Sequence, residues 1–89
     1  MLIKLPFMES ILVVDDDTVA STLYRGVFEK SGFRVEVADN GKQMMIALDR
    51  YTPDVILLDV MLPDATVMEL CSQFKQYERY RSTNVLSVS

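Results

Sequence analysis

The 89-residue sequence contains no histidine and a single cysteine, Cys71. One thiol cannot form an internal disulfide, and with no imidazole in the chain nothing stands ready to activate it as a nucleophile. Cys71 falls on the apolar face of an expected helix and reads as a buried structural thiol of a reducing cytoplasm. Basic residues are also few. Nine Lys and Arg face 13 Asp and Glu, for a net charge of −4, and they are scattered. That distribution gives no basic patch for nucleic acid. No apolar stretch is long enough to cross a bilayer. Residues 1–7 lack the length and small-residue cleavage site of a signal peptide, and read as an N-terminal extension ahead of a domain spanning 8–89. Repeats, low-complexity tracts and linkers are missing too. With 49% hydrophobic residues the chain can build one small core, which excludes disorder.

What the chain does have is acid at the ends of apolar runs. Ile11-Leu12-Val13-Val14 leads into Asp15-Asp16-Asp17, and Val55-Ile56-Leu57-Leu58 leads into Asp59. Short uninterrupted β-branched runs are the mark of parallel strands covered on both faces. If the two strands are neighbours, their carboxyl ends lie side by side, where open α/β sheets bind ligands. Carboxylates crowded there repel one another unless a cation sits among them, and hard oxygen ligands suit Mg²⁺ or a similar ion. Asp17 reads instead as a solvated helix start, where Asp is favoured.

The rest alternates strand and helix signals. Strands are expected at residues 10–14, 33–38, 54–58 and 84–88, with helices at 18–30, 41–51 and 66–77. Leu23 and Val27, and likewise Tyr24 and Phe28, repeat at i,i+4 in the first helix, which Ser31-Gly32 stops. Val35 and Val37 alternate with Arg34 and Glu36, the pattern of a half-exposed edge strand. Met44, Ala47 and Leu48 are the inward residues of the second helix, and Thr52-Pro53 ends it. Thr66 and Glu69 have the spacing of a capping box. The order β-α-β-α-β-α-β, with right-handed crossovers, makes an α/β doubly wound parallel sheet that finishes on a strand.

In order and spacing, several stretches resemble the receiver domains of bacterial two-component response regulators. They are Ile11 to Asp17, Ser31-Gly32-Phe33, Ala38-Asp39-Asn40-Gly41, Pro53 through Asp64, and Glu69-Leu70-Cys71. The resemblance covers residues 8–89 and implies a flavodoxin-like fold with strand order 2-1-3-4, truncated after the fourth strand. It implies Asp59 as phosphoacceptor and Asp15 and Asp16 as the acidic pair. Asp16, Asp59 and the main-chain carbonyl of Met61 would ligate Mg²⁺, with Asp15 acting through a water. It places the family's phosphoryl-contacting hydroxyl at Ser89. The partner it implies is a sensor histidine kinase or histidine phosphotransfer protein, and the role a cytoplasmic signalling module rather than an enzyme acting on a metabolite.

The pattern departs from the family in two places. No residue here can take the part of the family's fifth-strand lysine, and Val67 stands where a glycine is usual. A fourth strand at the sheet edge also leaves Val85, Leu86 and Val88 expected to be poorly covered, and open to self-association. Two other readings remain. One is an inactive or decoy receiver that only docks to a kinase through its first helix. The other is a haloacid-dehalogenase-type phosphohydrolase fragment, in which Asp15-Asp16-Asp17-Thr18-Val19 would supply Asp15 as nucleophile and Asp17 as acid/base. That fold leaves Asp59 and its proline loop without a role.

Overall fold

The computed structural model describes residues 9–59, 62–64, 66–74 and 83–88. The elements run β1 (Ser10–Val14), α1 (Thr18–Lys30), β2 (Arg34–Ala38), α2 (Gly41–Arg50), β3 (Val55–Asp59), α3 (Val67–Phe74) and β4 (Asn84–Val88). All four strands are parallel, in the order β2-β1-β3-β4. The order and the edge position of β2 are as the sequence implied. Boundaries move by a residue: Asp59 is the last residue of β3 rather than the first beyond it. The last three residues expected in the third helix lie outside the described residues.

The strand alternation divides the core. Leu12, Val14, Ile56 and Leu58 point to one face, where they pack with Met44, Ala47 and Leu48 of α2 and with Leu70 of α3. Ile11, Val13, Val35 and Leu57 point to the other, against Tyr24 and Phe28 of α1 and the neighbouring Phe33. The Phe28 ring meets Phe33 edge-on with centroids 6.0 Å apart, an arrangement favoured by the ring quadrupoles. Gly32 takes φ 96°, which lets α1 turn back sharply into β2.

Of the two apolar pairs in α1, one faces in. Tyr24 and Phe28 pack on the sheet, whereas Val19, Leu23 and Val27 form an outward stripe, each more than 60% exposed. On the same sheet face Leu86 pairs in register with Leu57 and is exposed, because α1 lies over β2 and β1. The expectation of poor cover therefore holds for Leu86 but not for Val85. Val85 points to the opposite face and packs against the larger core cluster. The side chain of Val88 lies outside the described residues, as does that of Cys71.

Val67 poses no backbone difficulty. It is the first residue of α3, and among the described residues no non-glycine has positive φ. Thr66 and Glu69 form the expected reciprocal cap: Thr66 N–H donates to Glu69 Oε1 at 3.0 Å, and Glu69 N–H donates to Thr66 Oγ1 at 3.2 Å.

Candidate phosphoacceptor site

β1 and β3 are hydrogen-bonded neighbours, so Asp15 and Asp59 leave the sheet at adjacent carboxyl ends. One carboxylate oxygen from each of Asp15, Asp16 and Asp59 lies within 4.8 Å of the others. The three differ in surroundings: Asp15 is buried, Asp59 half-buried and Asp16 exposed. Asp15 Oδ1 accepts the Asp17 N–H at 2.9 Å, and the Asp15 N–H donates to the Ala38 carbonyl at 3.0 Å. The side chain and its backbone are thereby both fixed.

Burial pushes the Asp15 carboxyl above its ordinary value, the hydrogen bond from Asp17 opposes that, and the side chain of Asp59 and the charges of Asp59 and Asp17 add to the rise. A carboxylate raised by burial and by its acidic neighbours is one whose charged form a nearby cation would favour. The donor set is all hard oxygen, with an exposed flank for waters, and it fits Mg²⁺ better than a softer metal.

Asp17 belongs to α1 rather than to this cluster. Its carboxylate accepts from Val19 N–H at 2.9 Å and Ala20 N–H at 3.3 Å, as the N-cap of the helix. A residue so engaged is poorly placed as an acid/base, and the phosphohydrolase reading loses its second residue. Met61 and Ser89 lie outside the described residues.

The connection beyond β3 carries one contact that spacing did not reveal. Asp64 Oδ1 accepts the Gly41 N–H at 2.8 Å and Oδ2 the Lys42 N–H at 3.1 Å. These bonds hold its carboxyl below the ordinary range, although the side chain is exposed. The sequence offered only a faint signal, an acidic residue directly after Leu62-Pro63.

Comparison with known proteins agrees with this fold. The response regulator receiver domain model matches residues 11–89. The chain belongs to that family. This receiver is 40% identical over 68 residues to the alkaline phosphatase synthesis transcriptional regulatory protein PhoP of Bacillus subtilis. The match covers 76% of the chain and 28% of PhoP. It is 27% identical over 81 residues to the polar-differentiation response regulator DivK of Brucella anthropi, covering 91% of the chain and 66% of DivK. Among solved structures, the chemotaxis response regulator CheY4 of Vibrio cholerae superposes with a TM-score of 0.86 at 26% identity. That superposition covers 90% of the receiver and 67% of CheY4. The receiver spans less than a third of the transcriptional regulators that it matches. It is a phosphoacceptor module of two-component signalling, with the flavodoxin-like fold. No helix among its described residues is long and apolar enough to cross a membrane.

Proposed function

We propose that the receiver accepts a phosphoryl group on Asp59, with Mg²⁺ held by Asp16, Asp59 and the Met61 carbonyl and with Asp15 acting through a bound water. The donor class is a phosphohistidine on a sensor kinase or phosphotransfer protein. A carboxylate oxygen of Asp59 forms the new bond to phosphorus as the P–N bond breaks, and the electron pair leaves on the imidazole. Attack of one anion on another is opposed by charge, and Mg²⁺ supplies the neutralisation and alignment that the step requires. Asp15 and Asp16 contribute by holding negative charge where that cation belongs. Attack of water on the acyl phosphate then regenerates the Asp59 carboxylate and releases inorganic phosphate. The convergence of the three carboxylates at the ends of two neighbouring parallel strands carries this reading. Ser89 is the hydroxyl assigned to the phosphoryl oxygens, and the cytoplasm is the compartment in which such a relay operates.

The test is incubation with phosphoramidate and Mg²⁺, followed by mass spectrometry of the intact protein. The expected result is one hydroxylamine-labile phosphoryl group, lost in Asp59→Asn. A group retained in Asp59→Asn and lost in Asp15→Asn would instead revive the phosphohydrolase reading.

The outward stripe of Val19, Leu23 and Val27 favours a second reading, in which the receiver docks to a kinase through α1 and transfers no phosphate. It predicts binding to a histidine phosphotransfer domain that survives Asp59→Asn and is lost in Leu23→Asp. Exposed Leu86 on edge strand β4 supports self-association there, measurable as a concentration-dependent sedimentation coefficient that Leu86→Lys abolishes.

A further inference from the structure

We propose that Asp64 is a positioning residue for the phosphoacceptor site, clamping the connection after Asp59 to the first turn of α2. The proposal rests on the reading of Asp59 as acceptor and cation ligand.

The first turn of a helix presents N–H groups that have no partner within the helix, at the positive end of its dipole. In α2 the N-cap Asn40 side chain takes the Gln43 N–H at 2.8 Å, and the first intrahelical bond runs from Met44 N–H to the Asn40 carbonyl. Gly41 and Lys42 remain. Water would satisfy both, yet they are taken by the two oxygens of one carboxylate more than 20 residues away in sequence. Asp64 therefore adds a tertiary link to a helix that already has a local cap.

Where that link lies gives it a consequence for the site. The corner between β2 and α2 holds the backbone of Asp15 through the Ala38 carbonyl. Three residues further on, the same corner holds Asp64. Asp59 and Asp64 are the two ends of one short connection, and Asp59 and Asp15 are neighbours across the sheet. A closed ring results: Asp15, the Ala38–Gly41 corner, Asp64, Asp59, and back to Asp15. Leu62 packs against the core partway along the connection, and the Thr66–Glu69 cap of α3 lies just beyond Asp64. Opening the ring at Asp64 leaves Asp59 on β3 but frees the segment that leaves it, so binding a cation must order that segment at its own entropic cost.

The experiment compares wild type, Asp64→Ala, Asp64→Asn and Asn40→Ala, all as the full chain. Mg²⁺ alone is titrated by calorimetry, and phosphoramidate labelling is followed at low and saturating Mg²⁺. Asp64→Ala should raise the Mg²⁺ dissociation constant about threefold to tenfold, the low end for groups acting behind a metal's own ligands. Labelling at saturating Mg²⁺ should stay within about twofold of wild type, because the clamp acts on binding of the ion. Asp64→Asn, which keeps an acceptor oxygen, should fall between the two. Asn40→Ala removes the local cap and not the clamp; it should lower the melting temperature and leave Mg²⁺ affinity unchanged. Amide exchange at Gly41 and Lys42 should quicken in Asp64→Ala. Unchanged Mg²⁺ affinity in a folded Asp64→Ala protein overturns the proposal, as does an equal loss in Asn40→Ala, which reduces Asp64 to a helix cap. Unaltered exchange at Gly41 and Lys42 overturns the clamp itself. If wild type gives neither a Mg²⁺ response nor a label, the acceptor reading fails first and the proposal falls with it.

Discussion

The two ends of this sheet hold acidic residues in opposite circumstances. At the amino-terminal end, Asp54 accepts the Ser10 N–H at 2.8 Å, and its own N–H donates to the Ser10 carbonyl at 3.0 Å. Nearby, the buried Thr83 hydroxyl donates to the Pro53 carbonyl at 3.0 Å, and the Asn84 N–H donates to the Asp54 carbonyl at 3.0 Å. That end joins β1, β3 and β4 by matching each donor to an acceptor. At the carboxyl-terminal end, three carboxylates meet with oxygens inside 4.8 Å, and Asp15 is raised by burial and by its acidic neighbours. One end spends its polar groups on holding strands together, while the other gathers like charges in an arrangement that works against stability.

Breaking this contrast at its strongest point means removing the acceptor. Asp59→Asn should abolish the acyl phosphate, whereas Asp54→Ala, at the other end of the same strand, should leave labelling of folded protein unchanged. Phosphoramidate labelling measures both.

Stability should move in opposite directions at the two ends. Asp54→Ala removes a charge-assisted bond and should cost about 1 to 2 kcal/mol in urea unfolding. Asp15→Asn in chelator should raise the melting temperature, because it relieves burial of a charge beside like charges; added Mg²⁺ should stabilise wild type and leave this variant nearly unmoved.

Acid sharpens the comparison further. Asp15 is raised above 3.8, so between 3.8 and its folded value the native state binds more protons than the unfolded one. Its contribution therefore falls as pH rises through that window, and Asp15→Asn should flatten this slope in chelator. Asp64 is lowered below 3.8. Its contribution is complete above 3.8 and is lost as pH falls through its folded value, a slope that Asp64→Ala should remove. Thermal melts across the acid range read both.

The smallest effect lies beside the well-matched end. The Tyr51 hydroxyl is buried without a hydrogen-bond partner, and burial pushes its pKa up to about 12 from 10.0. Tyr51→Phe should be neutral or stabilising by up to about 1 kcal/mol, since no bond is lost. Wild type should lose stability between pH 10 and 12, as the unfolded tyrosine ionises and the folded one does not, and the variant should lose less.

Much of this was written locally. Ile11 to Val14 and Val55 to Leu58 are apolar on both faces because helices cover both, and such runs are visible as runs. Asp17 and Thr66 were legible as helix starts, since a cap depends on groups within a few residues. Other features were not. Leu23-Val27 and Tyr24-Phe28 have the same spacing, and a helix does not declare which of two apolar stripes will meet the sheet. Val85 and Leu86 are adjacent in sequence, and their fates part because Val85 points to the face whose core is built with α2 and α3, while Leu86 points to the face where α1 lies over β2 and β1.

By itself, the sequence determined the parallel strands, their order by way of family likeness, and the presence of acid at the ends of β1 and β3. Periodicity and capping are short-range properties, and a chain of letters carries them in full. Only the tertiary structure decided which apolar stripe of α1 meets the sheet, and that Asp64 reaches α2. Those outcomes depend on distances set by packing between elements far apart in sequence, where a displacement of a few ångströms makes or removes a hydrogen bond.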